Sequence, residues 1–311
     1  MMMRYFLILM LLAGICVSPV NAAESKLRVV ASFSILGDMV RQVGGDLVEV
    51  TALVGPDGDA HGYQPTPDDL KAVAKADIVF VNGLGFDGWM QHLVESAGYK
   101  GPIIVATVGV KARKMVGDAD DHDAHGGHDH GVTDPHAWQD LGNGVIYAEN
   151  IAAGLSKVLP ARAENIAQRK RAYQDAIKAL DVDVRAQIGA VPEAQRLIIT
   201  SHDAFGYFGV AYGIRFLAPY GMSAESEPSA KDVAALIDQV KKAGVREVFI
   251  ENMGNPRLIE QLAKDAGATV GGTLYADALS AADGGAASYL EMFRWNVPKL
   301  IGAMRGGRAA Q

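Results

Sequence analysis

Short runs of β-branched and aliphatic residues alternate with helical patterns along most of this chain, and that alternation restricts the fold more than any other feature. Residues 27–33, 48–54, 78–81 and 103–107 read as strands, while 35–43 and 67–76 carry helical spacing. The second half repeats the order, with strands at 197–200, 245–250 and 269–274 and helices ending at Ala243 and covering 257–266. Strands separated by helices pair through crossovers, which makes parallel sheets with helices on their faces. Thr66-Pro67-Asp68-Asp69 is a strong helix start, with an N-cap hydroxyl, proline at the first helical position and acids facing the dipole.

Between the halves, residues 161–188 contain neither glycine nor proline, and Ile166, Tyr173, Ile177, Leu180, Val184 and Ile188 recur at helical spacing. At 1.5 Å per residue this predicts a helix of roughly 40 Å. The expected architecture is therefore an α/β chain of two lobes, each a mostly parallel β-sheet flanked by helices, joined by one long rigid linker helix. Its expected divisions are an N-terminal lobe over 24–142, a helical connection over 143–190 that includes the long helix, and a C-terminal lobe over 191–305.

Arg4, the apolar stretch from Tyr5 to Val17 and the small residues ending at Ala23 describe a secretory signal peptide over residues 1–22, too short to span a bilayer. The lone Cys16 follows the bulky Ile15, the wrong residue for lipidation, so the expected form is soluble, periplasmic and without a lipid anchor. Removal of residues 1–22 takes the net charge from −7 to −8 and leaves no cysteine. Disulfides and thiolate-rich metal sites are thereby excluded, and the acidic balance argues against a nucleic-acid partner.

Metal-ligand side chains stand out against this background. His61, His136, His202 and Asp277 are spread over 217 positions, each where a predicted strand has just ended. In open α/β sheets such ends converge on one crevice. Three imidazoles and a carboxylate suit Zn²⁺ better than the all-oxygen shells of Mg²⁺ or Ca²⁺. Four protein ligands fill a tetrahedral shell and leave no position for an activated water, which argues for carriage of the metal and against an enzyme.

Six segments carry a resemblance: Ala31-Ser32-Phe33-Ser34-Ile35-Leu36-Gly37-Asp38, His61 with Pro65-Thr66-Pro67-Asp68-Asp69, Val81-Asn82-Gly83-Leu84-Gly85-Phe86, Asp134-Pro135-His136-Ala137-Trp138, Glu225-Ser226-Glu227-Pro228-Ser229 and Asp277-Ala278-Leu279. In this order they resemble the solute-binding proteins of zinc and manganese ABC importers, the cluster A-I metal-binding family. The resemblance implies that the positions of His61, His136, His202 and Asp277 hold the metal. Manganese-selective members usually carry glutamate at the position of His202, so histidine there points to zinc. It also implies a partner, the membrane permease of a zinc ABC transporter, with a periplasmic zinc metallochaperone as a further candidate, and the protein is expected to be a monomer. Manganese as cargo, or a metal-buffering or adhesin-type exported protein, are the alternatives.

Residues 118–131 abandon all apolar periodicity for Asp, His, Gly and Ala. His122, His125, His128 and His130 make this stretch an accessory metal loop in the family reading and a solvated linker otherwise. Glu225, Glu227 and Glu251 lie in segments expected near the cleft, where one could accept a hydrogen bond from a ligand imidazole. Gly83-Leu84-Gly85-Phe86-Asp87-Gly88 matches a dinucleotide-binding pattern, but the acid required after the next strand is absent; a tight turn beside the cleft is the expected role. Ser201-His202-Asp203 is too contiguous for a hydrolase triad.

Overall fold

The computed structural model describes residues 25–115, 132–219, 230–253 and 256–306. Residues 1–22, with Cys16, the four histidines of the 118–131 stretch, and Glu225 and Glu227 lie outside them.

Strand β1 (Leu27–Phe33) is buried at every position except Arg28, as expected of a strand covered on both faces. It pairs in parallel with β2 (Val48–Val54) on one side and β3 (Ile78–Val81) on the other, and β3 pairs with β4 (Ile103–Val105). The order β2-β1-β3-β4 places a reversal of winding direction at β1, and a crevice opens beyond the carboxyl ends of β1 and β3. Helix α1 (Ser34–Gly44) begins immediately after β1, α2 (Pro67–Lys75) joins β2 to β3, and α3 (Trp89–Ser96) joins β3 to β4.

The start of α2 is a reciprocal capping box: Asp69 N–H donates to Thr66 Oγ1 (3.3 Å), and Thr66 N–H donates to Asp69 Oδ2 (2.7 Å). Replacing Thr66 with alanine removes one arm and is expected to cost about 1 kcal/mol. Thermal unfolding followed by circular dichroism should show a midpoint about 2–4 °C lower.

Helices α4 (Leu141–Val158) and α5 (Ala163–Gly189) pack antiparallel, with Ile166, Tyr173, Ile177, Leu180, Val184 and Ile188 buried along α5. The long helix is a packed element rather than a free strut, since it lies against α1, α4, α6 (Gly206–Tyr212) and α9 (Tyr289–Met304), elements from both halves. One apolar cluster accordingly runs from Leu27 in β1 through Trp138, Ile177 and Phe208 to Met304.

In the second half, β5 (Leu197–Ile199) pairs in parallel with β6 (Arg215–Leu217), and β7 (Glu247–Glu251) with β8 (Thr269–Leu274). Helix α6 makes the crossover from β5 to β6 and α8 (Arg257–Ala266) that from β7 to β8, while α7 (Ala230–Ala243) connects β6 to β7. The chain is thus two parallel α/β halves joined by a long helix. The strands of the second half form two ladders, and where β5 meets β7 side chains make the link: Ser201 N–H donates to Glu251 Oε1 (2.9 Å), and Glu251 N–H donates to Ser201 Oγ (3.2 Å).

Candidate metal centre

Each of the four candidate ligands sits in a loop held by its neighbours. His61, in the connection from β2 to α2, donates its N–H to Asp59 Oδ1 (2.8 Å), and Trp89 Nε1 ties down the preceding carbonyl, that of Ala60 (2.9 Å). Phe86 meets the His61 ring edge-on at 4.8 Å. The glycine-rich turn that delivers Phe86 runs through positive φ at Gly83, Leu84 and Gly85, and Asp87 stitches it by accepting from the N–H groups of Asn82 (2.6 Å) and Gly83 (3.1 Å). That turn accounts for the glycines at 83 and 85.

His202 follows β5 and Asp277 follows β8, as the strand-end argument requires. His136 does not follow a named strand. It comes after an isolated antiparallel bridge between Lys114 and Thr133 and begins a 3₁₀ turn, Ala137–Gln139. Trp138 Nε1 and Gln139 Nε2 in that turn both donate to the carbonyl of Ala276 (2.8 Å each). The residue before Asp277 is therefore clamped from the first half, while Leu279 N–H donates to Ser34 Oγ (3.0 Å) on its other side.

These anchors bring the four side chains together. His61 Nε2 lies 3.1 Å from His136 Nε2 and 3.1 Å from Asp277 Oδ2, and His202 Nε2 lies 3.0 Å from the same oxygen. All four ligand atoms fall within 4.8 Å of one another. An ion bound tetrahedrally through ~2.0–2.1 Å bonds holds its ligand atoms about 3.4 Å apart, so the cluster has the span such an ion needs. His136, His202 and Asp277 are fully buried, and His61 is the member that retains some exposure.

Carboxylates stand behind two of the imidazoles. Asp134 Oδ1 is 2.8 Å from His136 Nδ1 and also accepts from the His136 N–H (2.9 Å). Glu251 pairs with His202 Nδ1 and accepts from the His202 N–H through its other oxygen (3.0 Å). A proton held on each Nδ1 leaves the Nε2 lone pair directed at the centre. Burial alone would push the His136 pKa down, but the charges of Asp277 and Asp134 outweigh it and raise it to about 9. His202 is likewise driven well above its ordinary value, with Glu251 and Asp277 overcoming burial. In return, and against burial, His136 and His202 hold Asp277 well below the usual carboxylate range.

Of the three glutamates considered from sequence, the described residues place Glu251 behind His202. Asp134 and the Arg113 paired with it were not anticipated. Asp134 carried a readable signal, an aspartate two residues before a candidate ligand across a proline. Arg113, 21 residues away, carried none.

The family model described as zinc-uptake complex component A, periplasmic, matches residues 29–303. The chain belongs to that family. It is 30% identical over 308 residues to the metal ABC transporter substrate-binding lipoprotein ScbA of Streptococcus cristatus, covering 95% of this chain and 96% of that protein. It is 31% identical to the iron-binding protein YfeA of Yersinia pestis, covering 91% of this chain and 88% of the relative. Among solved structures, the periplasmic zinc binding protein TroA of Treponema pallidum superposes with a TM-score of 0.82 at 26% identity, covering 90% of this chain and 99% of that one. The manganese-bound periplasmic metal binding protein from Candidatus Liberibacter asiaticus gives 0.79 at 29% identity, covering 90% and 100%. Family members are thus named for zinc, manganese and iron. No helix among the described residues is long and apolar enough to cross a membrane.

Proposed function

We propose that this protein captures Zn²⁺ in the periplasm and delivers it to the membrane permease of an ABC importer, with His61, His136, His202 and Asp277 as the ligands. The observation that carries this reading is the convergence of three Nε2 atoms on one oxygen of Asp277, in a fold whose family is one of metal-uptake components. Asp277 Oδ1, buried and without a hydrogen-bond partner among the described residues, supports a cation at this point. Three imidazoles favour zinc, and the donor set leaves no open position for hydrolysis, which supports a carrier rather than an enzyme. Manganese is the second reading, favoured by the manganese-bound structural neighbour.

The continuous apolar cluster between the halves supports a small closure on metal binding. In this proposal the 118–131 stretch gathers metal as an accessory, the mature chain begins at Ala23 as a monomer, and a metallochaperone is a further partner. Relatives named as lipoproteins make the mature N-terminus worth measuring. Native mass spectrometry of the exported protein titrated with zinc tests both points. A mass starting at Ala23 that takes up one tightly held zinc at the cluster supports the proposal; a diacylated Cys16 removes the anchor-free form, and no zinc uptake removes the function.

Glu251 gives a sharper test. In Glu251→Gln the Oε1 atom can still accept from Ser201 and His202, but an amide facing Nδ1 favours the tautomer with its proton on Nε2, where the metal must bind. Zinc affinity measured against a chelating dye should drop about 10- to 100-fold. Wild-type affinity in this variant would show that Glu251 does not set the imidazole.

A further inference from the structure

Behind His136, on the side away from the cluster, the two halves meet at an ion pair between the half-buried Arg113 and the buried Asp134. Arg113 and Asp134 are cross-strand neighbours: Asp134 N–H donates to the Arg113 carbonyl (3.0 Å), and Met115 N–H donates to the Val132 carbonyl (3.0 Å) further along. The Arg113 guanidinium pairs with Asp134 Oδ2 while Asp134 Oδ1 holds His136, so one carboxylate is shared between an arginine and a candidate ligand. The second half completes the arrangement. Arg113 N–H donates to the Tyr207 hydroxyl (3.2 Å), and its guanidinium carbon lies 5.6 Å from the centre of the Tyr207 ring. At the first position of α6, a methyl on Gly206 would overlap Arg113 Nη1 and lie 2.6 Å from Asp134 Oδ2.

We propose that Arg113 is a positioning residue for the metal site, fixing Asp134 against His136 across the seam between the halves, and that Gly206 is glycine because this ion pair fills the space of a side chain. The inference rests on the metal-binding reading of the cluster. The Nη1 contact to Oδ2, opposite the Oδ1 that bonds His136, holds the carboxylate in place and through it the direction in which His136 presents Nε2. Because Gly206 and Tyr207 belong to the second half, a shift of α6 against the first half moves this ion pair and, with it, one ligand. Alignment of the halves is thereby written into ligand geometry at a point that never touches the metal.

The test compares the full mature chain with Arg113→Met, Arg113→Lys, Gly206→Ala and the Arg113→Met/Gly206→Ala double variant. Three quantities are read: zinc affinity by competition, the visible spectrum of the Co²⁺-loaded protein, and thermal unfolding of the metal-free form. Arg113→Met is expected to weaken zinc about 10- to 100-fold and change the Co²⁺ spectrum, with Arg113→Lys recovering most of the affinity. Gly206→Ala should shift both readings the same way, and the double variant should lose less than the product of the single losses because both changes act on one contact. Wild-type affinity and spectrum in Arg113→Met, a loss of thermal stability with the spectrum unchanged, or multiplicative losses in the double variant would each overturn the inference while leaving the metal site standing. Should Arg113→Met fail to fold, Gly206→Ala and Arg113→Lys decide by the same readings. A wild-type chain that binds neither Zn²⁺ nor Co²⁺ overturns the metal-site reading itself and the inference with it.

Discussion

Replacing Asp277 with alanine is expected to weaken zinc binding by more than about a hundredfold, beyond the ~10- to 100-fold that groups bonded to metal ligands contribute. Asp277 Oδ2 is the atom on which all three imidazoles converge, at 3.0, 3.1 and 3.7 Å, and it supplies the only negative charge in the set of four. Without it, three neutral imidazoles face the cation and water completes the shell. The metal-free fold should survive, because His136 and His202 can release the protons that Asp277 helps them hold. Competition titration read beside thermal unfolding separates the two effects. Unchanged zinc affinity in a folded Asp277→Ala protein would remove Asp277 from the site.

The second large effect is on pH. Free imidazoles would place proton competition near pH 6.5, but the carboxylates around His136 move its pKa up to about 9. At neutral pH the metal-free site is therefore protonated, and zinc must expel at least one proton to bind. Apparent affinity should climb about tenfold per pH unit for each proton released between pH 6 and 8, and level off only near pH 9. A flat profile over that range would contradict the assignment of His136. The metal-free protein should move in the opposite sense. A histidine whose folded pKa is raised stabilises the fold fully below about pH 6.5 and loses that contribution as pH rises through about 9. Above pH 7 the melting temperature of the metal-free form should fall while that of the zinc form does not.

Much of this was legible because short parallel strands and their crossover helices write separate periodicities. The helix Arg257–Ala266 and the strand Thr269–Leu274 have the limits the pattern implies. Strand β4 stops at Val105, two residues early, although Ala106 N–H still donates to the Val81 carbonyl (2.8 Å) and the Thr107 N–H (3.3 Å) and hydroxyl (2.7 Å) both donate to the Asn82 carbonyl. Helix α9 was not anticipated, since Pro298 sits inside it and disguises a helix buried at Tyr289, Phe293, Val297 and Leu300. The four candidate ligands could be named from residue type and loop position. Of their supports, Glu251 was among the candidates and Asp134 left a signal two residues before His136, but Arg113 and Gly206 gain their meaning only when two halves, distant in sequence, are brought face to face.

The most direct test of the account is a competition titration of the metal-free mature protein with zinc and manganese, run beside a variant lacking residues 119–131. The account predicts one tight zinc site that persists in the deletion variant, with manganese bound far more weakly. Loss of tight zinc binding with the deleted stretch would contradict it and place the cargo on the histidine tract, and manganese bound as tightly as zinc would contradict the assignment of zinc as cargo.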